Sequence, residues 1–224
     1  MKKILLATVA LAALAAPAAA ADLAARPTYT KAPVLAPLPS WAGFYLGAVG
    51  GYATEDAGTN AVKGGFVGGT AGYNWQTANW VFGLEADAAW ADINASAAAA
   101  VPGFGIVTAG TKIDATGTVR GRIGYAFDNV LLYGTGGYAW ANNKITLTAL
   151  GVSVSDSQFL SGWTVGAGAE FLIAPKWSLK AEYLYKSFGG KTYFNGALPT
   201  GELNLHTVQV GVNYHFNGPV VAKY

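Results

Sequence analysis

Acidic and basic residues recur two positions apart in three stretches of this sequence. The pairs are Glu85 with Asp87, Arg120 with Arg122, and Lys180 with Glu182. A spacing of two places both side chains of a pair on one face of a β-strand. Carboxylates that face guanidinium or ammonium groups form charge-assisted hydrogen bonds, so the chemistry that these residues indicate is electrostatic.

The full set of charges predicted to share this face is balanced in sign. Its members are Glu85, Asp87, Asp114, Glu170 and Glu182 against Lys112, Arg120, Arg122, Lys180 and Lys186. Two functions are consistent with such a set: ion pairs that fill an interior, or a charged ring that selects ions. Five acids against five bases favour the structural network, because a selective pore would show an excess of one sign.

The sequence has two histidines, His206 and His215, and neither lies in a recognisable catalytic motif. An enzyme that hydrolyses or acylates lipids would need a nucleophile and an orienting acid beside His206. Thr207 and Glu202 are near it in sequence, but no Ser–His arrangement is present. No metal-ligand cluster or phosphate-binding loop is recognisable. We therefore expect no enzyme activity, no cofactor and no metal.

The stretch 112–127 shows most clearly the β-strand pattern that positions the charged residues. Eight alternate residues, from Ile113 to Phe127, are apolar or glycine, and six of the other eight are polar or charged. Only a β-strand puts alternate residues on opposite faces. At ~3.3 Å per residue and a tilt of ~40°, such a strand is long enough to cross the hydrocarbon core of a bilayer.

Seven further stretches alternate in the same way. The predicted strands are 41–53, 65–76, 80–90, 112–127, 130–140, 162–172, 177–187 and 205–216. Connections between them alternate strictly between short and long. The long ones span 54–64, 91–111, 141–161 and 188–204. This pattern predicts an all-β, eight-stranded antiparallel up-and-down transmembrane β-barrel, with short periplasmic turns, long extracellular loops and both termini in the periplasm.

Aromatic residues cluster at both ends of the predicted strands. Those at the short-turn ends are Phe44, Trp75, Trp80, Tyr125, Phe127, Trp177, Tyr214 and Phe216. Those near the other ends are Tyr52, Trp90, Tyr138, Trp140, Trp163 and Tyr185. Two aromatic levels are what two membrane interfaces select, because each ring is apolar and its N–H or O–H group prefers water.

The N-terminus carries an export signal. Residues 1–20 combine Lys2 and Lys3, an apolar run and an A-x-A cleavage site, which predicts a cleaved secretory signal peptide. Residues 21–40 contain four prolines and predict an extended periplasmic linker. The barrel is predicted over 41–216, followed by a C-terminal tail at 217–224.

Composition excludes several classes of function. Once the two signal-peptide lysines are removed, twelve basic and twelve acidic residues remain, so we expect no nucleic-acid partner. The absence of cysteine excludes disulfides and a lipid anchor. Charged residues are only 12% of the chain, about half the globular average, as expected for a protein that faces lipid.

Five segments carry a family pattern over nearly the whole mature chain. They are WAGFYLG (41–47), TVRGRIGY (118–125), YGTGG (133–137), GWTVGAGAE (162–170) and VGVNYHF (210–216). Together they resemble the small outer-membrane β-barrel proteins of alphaproteobacteria, which are OmpA-like transmembrane barrels also labelled outer-membrane immunogenic or porin-like proteins. The resemblance implies an abundant structural protein or surface antigen without catalytic residues. It leaves open whether Phe216 or Tyr224 provides the C-terminal aromatic assembly signal.

We therefore expect an integral outer-membrane protein with a structural or surface role, whose interior is plugged by charged side chains. The alternative is a narrow porin-like diffusion channel for small solutes. A soluble lipocalin-like barrel is disfavoured, because charges such as Arg120 and Glu85 would line its apolar ligand cavity. Expected partners are outer-membrane lipids, lipopolysaccharide and the barrel-assembly machinery. The long loops show no recognition motif, so they leave any extracellular partner unidentified.

Overall fold

The computed structural model describes residues 40–55, 62–103, 105–193 and 198–216. It contains ten strands: β1 (Gly43–Glu55), β2 (Lys63–Thr77), β3 (Trp80–Val101), β4 (Gly105–Phe127), β5 (Val130–Ala149), β6 (Val152–Ala174), β7 (Trp177–Phe188), β8 (Thr192–Tyr193), β9 (Leu198–Pro199) and β10 (Leu203–His215). The predicted signal peptide, all of the linker except Ser40, and the C-terminal tail lie outside these residues. Within the described ranges, no helix is long and apolar enough to cross a membrane.

Eight of these strands, β1 to β7 and β10, close into one barrel. Each pairs antiparallel with its neighbours along the chain, and β10 pairs with β1 to complete the ring. Closure satisfies the backbone hydrogen bonds of every strand within the ring, which is what a bilayer interior requires of a sheet. The predicted eight-stranded antiparallel barrel is confirmed. The two-residue strands β8 and β9 pair only with each other, in the connection between β7 and β10.

The connections at one end of the barrel are tight turns. The β2–β3 and β4–β5 turns place Ala78 and Asp128 at a φ of 52°, the left-handed conformation that a two-residue hairpin turn uses. At the other end, β3 pairs with β4 up to Val101 and Gly105, and β5 pairs with β6 up to Ala149 and Val152.

The strands predicted over 80–90 and 130–140 are therefore too short, because the predicted long connections 91–111 and 141–161 consist mostly of strand. Both segments are long β-hairpins, and β4 pairs with β5 between them to give one projecting four-stranded sheet. The hairpin at 91–111 was not predicted because the alanine run at 97–100 does not alternate between polar and apolar residues. Backbone hydrogen bonds pair the strands of a hairpin whatever the polarity of their side chains.

The outer face of the barrel is apolar. Exposed large side chains at alternate positions include Leu84, Val119, Leu132, Val165, Leu179 and Val210. Aromatic pairs lie near the strand ends, with Trp80 against Tyr125 at the short turns and Trp163 against Tyr185 at the opposite end. Large apolar side chains exposed around a whole barrel indicate contact with lipid rather than water.

A β-bulge in β4 changes which residues face inward. Opposite β5, Ile113 pairs with Asn143 and Ala115 pairs with Asn142, so Asp114 is an extra residue. Because side chains alternate, one extra residue moves every position beyond it to the other face. Ile113 is consequently fully buried, and the side chains of Lys112 and Asp114 are 51% and 56% exposed on the outside. The prediction that Lys112 and Asp114 face the interior is wrong for this reason.

Candidate functional site

The charged side chains in the middle of the barrel form one connected network. Its members from the predicted set are Glu85, Asp87, Arg120, Arg122, Glu170, Lys180 and Glu182. They come from β3, β4, β6 and β7, and inward alternation places them at neighbouring ladder rows. Asp114 lies outside this network for the reason given above.

Glu85 is the centre of the network. Its carboxylate accepts hydrogen bonds from Arg120 Nη2 at 2.6 Å, from Lys180 Nζ at 2.8 and 2.9 Å, and from the Tyr45 hydroxyl at 2.7 Å. Arg122 Nη1 lies 3.8 Å away. Four side chains from three other strands thus converge on one buried carboxylate, which satisfies its charge and its acceptor positions.

Arg120 binds a second carboxylate across the bore. Its Nη1 atom lies 3.0 Å from Glu182 Oε1, and its Nη2 atom lies 3.2 Å from Asp87 Oδ2. Neutral side chains also donate hydrogen bonds to these carboxylates: Gln209 donates to Glu182, and Thr118 donates to Asp87. One guanidinium thereby links β3 to β7, two strands that are not neighbours in the sheet.

Arg122 and Glu170 form the part of the network nearest the short turns. Arg122 Nη1 lies 3.0 Å from Glu170 Oε2, and Arg122 Nε donates to Asn74 Oδ1 at 2.9 Å. The guanidinium also stacks over the rings of Tyr45 and Tyr133, at 4.9 and 5.1 Å from the two centroids. The planar cation is therefore held both by hydrogen bonds in its plane and by aromatic faces above it.

Glu170 also contacts a serine and a histidine, but not as a catalytic triad. Ser178 Oγ donates to Glu170 Oε1 at 2.5 Å, and His215 Nε2 lies 2.9 Å from Ser178 Oγ and 3.6 Å from Glu170 Oε1. In a triad the acid holds the ring nitrogen opposite to the one that faces the serine. Here both partners approach Nε2, and Ser178 is fully buried. The contacts stabilise Glu170 as a carboxylate.

The other predicted histidine lies on the outer face. His206 Nδ1 is 2.5 Å from the Tyr183 hydroxyl, and its ring packs against Tyr185. Thr207, the next residue, faces the interior and is fully buried. The side chains of His206 and Thr207 therefore point to opposite sides of the sheet.

Lys186, the remaining inward base, lies outside the ion pairs. Its side chain is buried, and its Nζ atom lies 5.7 Å from the centroid of the Phe66 ring. Among the described residues, the ion pairs within 4.0 Å do not include Lys186. The Lys186 ammonium group thus faces an aromatic ring at the edge of the network nearest the long hairpins.

Apolar side chains fill the bore on both sides of the charges. Toward the short turns, Trp41 is fully buried against Val81, Leu131 and Tyr133, and its ring meets His215 edge-on. The Trp41 backbone is fixed by Gln76 Oε1 at 2.8 Å and Asn74 Nδ2 at 3.0 Å. Toward the long hairpins, a second apolar cluster is formed by Ala53, Val62, Ile93, Ile113, Ala139, Ala141, Leu160, Phe188 and Leu205. The network therefore lies between two apolar layers.

Inward glycines make room for the large polar side chains. A Cβ atom at Gly72 would collide with the Tyr45 ring, and one at Gly168 would lie 2.7 Å from the Tyr133 hydroxyl. Small residues thus alternate with large ones around the ring, as expected for an eight-stranded barrel whose side chains occupy the bore.

Sequence reasoning found the charges and missed several of their neutral partners. The side chains that it did not assign to the network are Tyr45, Asn74, Ser178, Gln209, Asn213 and His215. All lie at inward positions of the same alternation, which is the signal that could have found them. In the part of the chain that the structure describes, no group of three or more His, Asp or Glu is placed to hold a metal ion.

Comparison with known proteins agrees with this architecture. Residues 6–216 match the family described as outer membrane protein beta-barrel domain. The 31 kDa outer-membrane immunogenic protein of Brucella melitensis biotype 1 is 37% identical, over 96% of this chain and 100% of its own. The 22 kDa outer membrane protein of Rhizobium leguminosarum bv. viciae is 33% identical, over 83% of this chain and 82% of its own.

Among solved structures, the chain is similar to Ail, the attachment invasion locus protein of Yersinia pestis. The match has a TM-score of 0.45 and 18% identity, over 78% of this chain and 99% of Ail. Family membership rests instead on the sequence matches, which extend over nearly the whole chain. The chain belongs to the outer membrane protein beta-barrel domain family and is located in the bacterial outer membrane.

Proposed function

We propose that this protein is a closed, non-enzymatic barrel that contributes mechanically to the outer membrane and displays its two long hairpins at the cell surface. The observation that carries the proposal is the filled bore, with Trp41 at one level, the network around Glu85 in the middle and the cluster around Ile113 above it. The interior holds four acids and four bases, of which all but Lys186 are ion-paired. These ion pairs hold the strands together, and the balanced set leaves no excess of one sign to attract ions.

The names of the relatives support the surface role. Two of them are called outer-membrane immunogenic proteins, and a position at the cell surface would expose such proteins to antibodies. In this chain, the sheet formed by β3 to β6 projects beyond the aromatic level at the end of the barrel that carries the long hairpins. Its strands are paired along their length, so it presents β-structure at its surface.

The wild-type protein should carry no stable single-channel current in planar lipid bilayers, because three layers of side chains block the bore. Trp41→Ala and Glu85→Ala should remain closed as well, since each leaves two layers in place. Current recordings of the three refolded proteins, with a known porin as positive control, test this. Steady current steps from the wild type would overturn the proposal in favour of a narrow channel.

Because the chain has no cysteine, single cysteines can report which end faces the outside. Ile106→Cys lies at the tip of the β3–β4 hairpin and Asp128→Cys in a short turn, and both positions are exposed. A maleimide that cannot cross membranes should label Ile106→Cys on intact cells, and should label Asp128→Cys only after the outer membrane is opened. The reverse pattern would place the short turns outside.

A further inference from the structure

The bulge at Asp114 turns Lys112 to the outer face, where it joins two other lysines. Lys63 of β2 pairs with Asn94 of β3, Asn94 pairs with Lys112 of β4, and Lys112 pairs with Lys144 of β5. The three lysines therefore occupy one ladder row across four adjacent strands, and all three are exposed. Bulges frequently serve to re-aim a side chain, which is what happens to Lys112 here.

This row of lysines lies just beyond the aromatic level at the long-hairpin end of the barrel. The outward-facing Trp90 and Trp140 lie four residues closer to the short turns than Asn94 and Lys144, on the same strands. Four residues correspond to about 13 Å along a strand, or about 10 Å along the membrane normal at a tilt of ~40°. Aromatic rings mark the edge of the hydrocarbon core, so flexible lysine side chains from this row reach the headgroup layer.

Of the three lysines, Lys112 has carboxylate partners within ion-pair distance. Lys112 lies 3.3 Å from Asp92 and 3.8 Å from Asp114. The ion pairs among the described residues include neither Lys63 nor Lys144, and Lys144 stands directly opposite Lys112. Like charges that face each other across two strands are unfavourable unless a counter-charge is present. An anion beside Lys144 would supply that counter-charge.

We propose that Lys63, Lys112 and Lys144 bind the phosphate groups of phosphorylated glycolipid headgroups in the outer leaflet. Neighbouring strands are about 4.8 Å apart, so the row spans about 14 Å from β2 to β5. That width suits two phosphates on one headgroup better than a single free ion. Asp92 and Asp114 compete with the phosphate for Lys112 and set the strength of the site. The inference rests on the orientation proposed above, with the long hairpins outside.

The test measures the affinity of the refolded full chain in detergent micelles for fluorescently labelled lipid A. Dephosphorylated lipid A and inorganic phosphate serve as competitors. A basic residue at an anionic lipid surface contributes roughly fivefold in affinity, so Lys63→Gln/Lys112→Gln/Lys144→Gln should bind about a hundredfold more weakly. Asp92→Asn/Asp114→Asn should bind several-fold more tightly. Dephosphorylated lipid A should compete poorly against the wild type.

A control variant, Lys176→Gln/Lys191→Gln, removes lysines that lie away from the row and should bind like the wild type. The heat-dependent shift in gel mobility verifies that each variant is a folded barrel. Equal affinity of the triple variant and the wild type would overturn the proposal, as would displacement of lipid A by millimolar inorganic phosphate. Because micelles have no sides, failure of this test is distinguishable from a wrong orientation or an open bore.

Discussion

Glu85→Ala is expected to be the most destabilising single substitution in the barrel interior. It removes the carboxylate that Arg120, Lys180 and Tyr45 share, and leaves two buried cations short of a partner. Removing one member of a buried ion pair costs roughly 3–5 kcal/mol of unfolding free energy. The measurement is reversible denaturant unfolding of the barrel in lipid vesicles.

The matched control is Thr164→Ala, at another inward and buried position. Thr164 donates a single hydrogen bond to the Tyr185 carbonyl, at 3.0 Å, so its loss should cost only about 1 kcal/mol. If Glu85→Ala and Thr164→Ala lowered the unfolding free energy equally, the network would contribute no more than one neutral hydrogen bond. That result would refute its proposed structural role.

A double-mutant cycle separates pairing from simple loss of packing. Arg120→Ala should also be strongly destabilising, because it leaves Glu85, Asp87 and Glu182 with one cation fewer. When Glu85→Ala is added, part of that loss should be recovered, since one of the uncompensated carboxylates is removed as well. Additive effects would show that the two side chains are not coupled.

Val119→Arg should lower the unfolding free energy by roughly 2–4 kcal/mol, because it places a charge in the hydrocarbon region of the bilayer. Val119 lies mid-strand on β4 between Thr118 and Arg120, which both face inward, and its own side chain is exposed on the outer face. The same vesicle unfolding experiment measures the loss.

Ile106→Arg is the matched control for Val119→Arg. Ile106 is on the same strand and 72% exposed, but it lies beyond the aromatic level in the projecting hairpin. A charge there meets water and should change stability by less than about 0.5 kcal/mol. Equal losses from both substitutions would contradict the assignment of Val119 to the lipid face.

The pairing of charges on distant strands could not be predicted from the sequence. Glu170 and Lys180 are direct cross-strand neighbours, yet Lys180 binds Glu85 and Glu170 binds Arg122, each across the bore. Long side chains in a narrow barrel reach several strands, so the choice of partner depends on where all of them meet. Trp41 is a similar case, because it precedes β1 and fills the bore instead of continuing the strand.

The sequence by itself determined the class of fold, the number of barrel strands and the face of nearly every residue between the two aromatic levels. It could do so because a strand alternates its side chains regardless of its partner, and because the lipid and the interior select opposite chemistries. Only the tertiary structure decided the positions of Lys112 and Asp114. The bulge beside them is a property of the ladder between β4 and β5, and one extra residue there reverses the alternation beyond it.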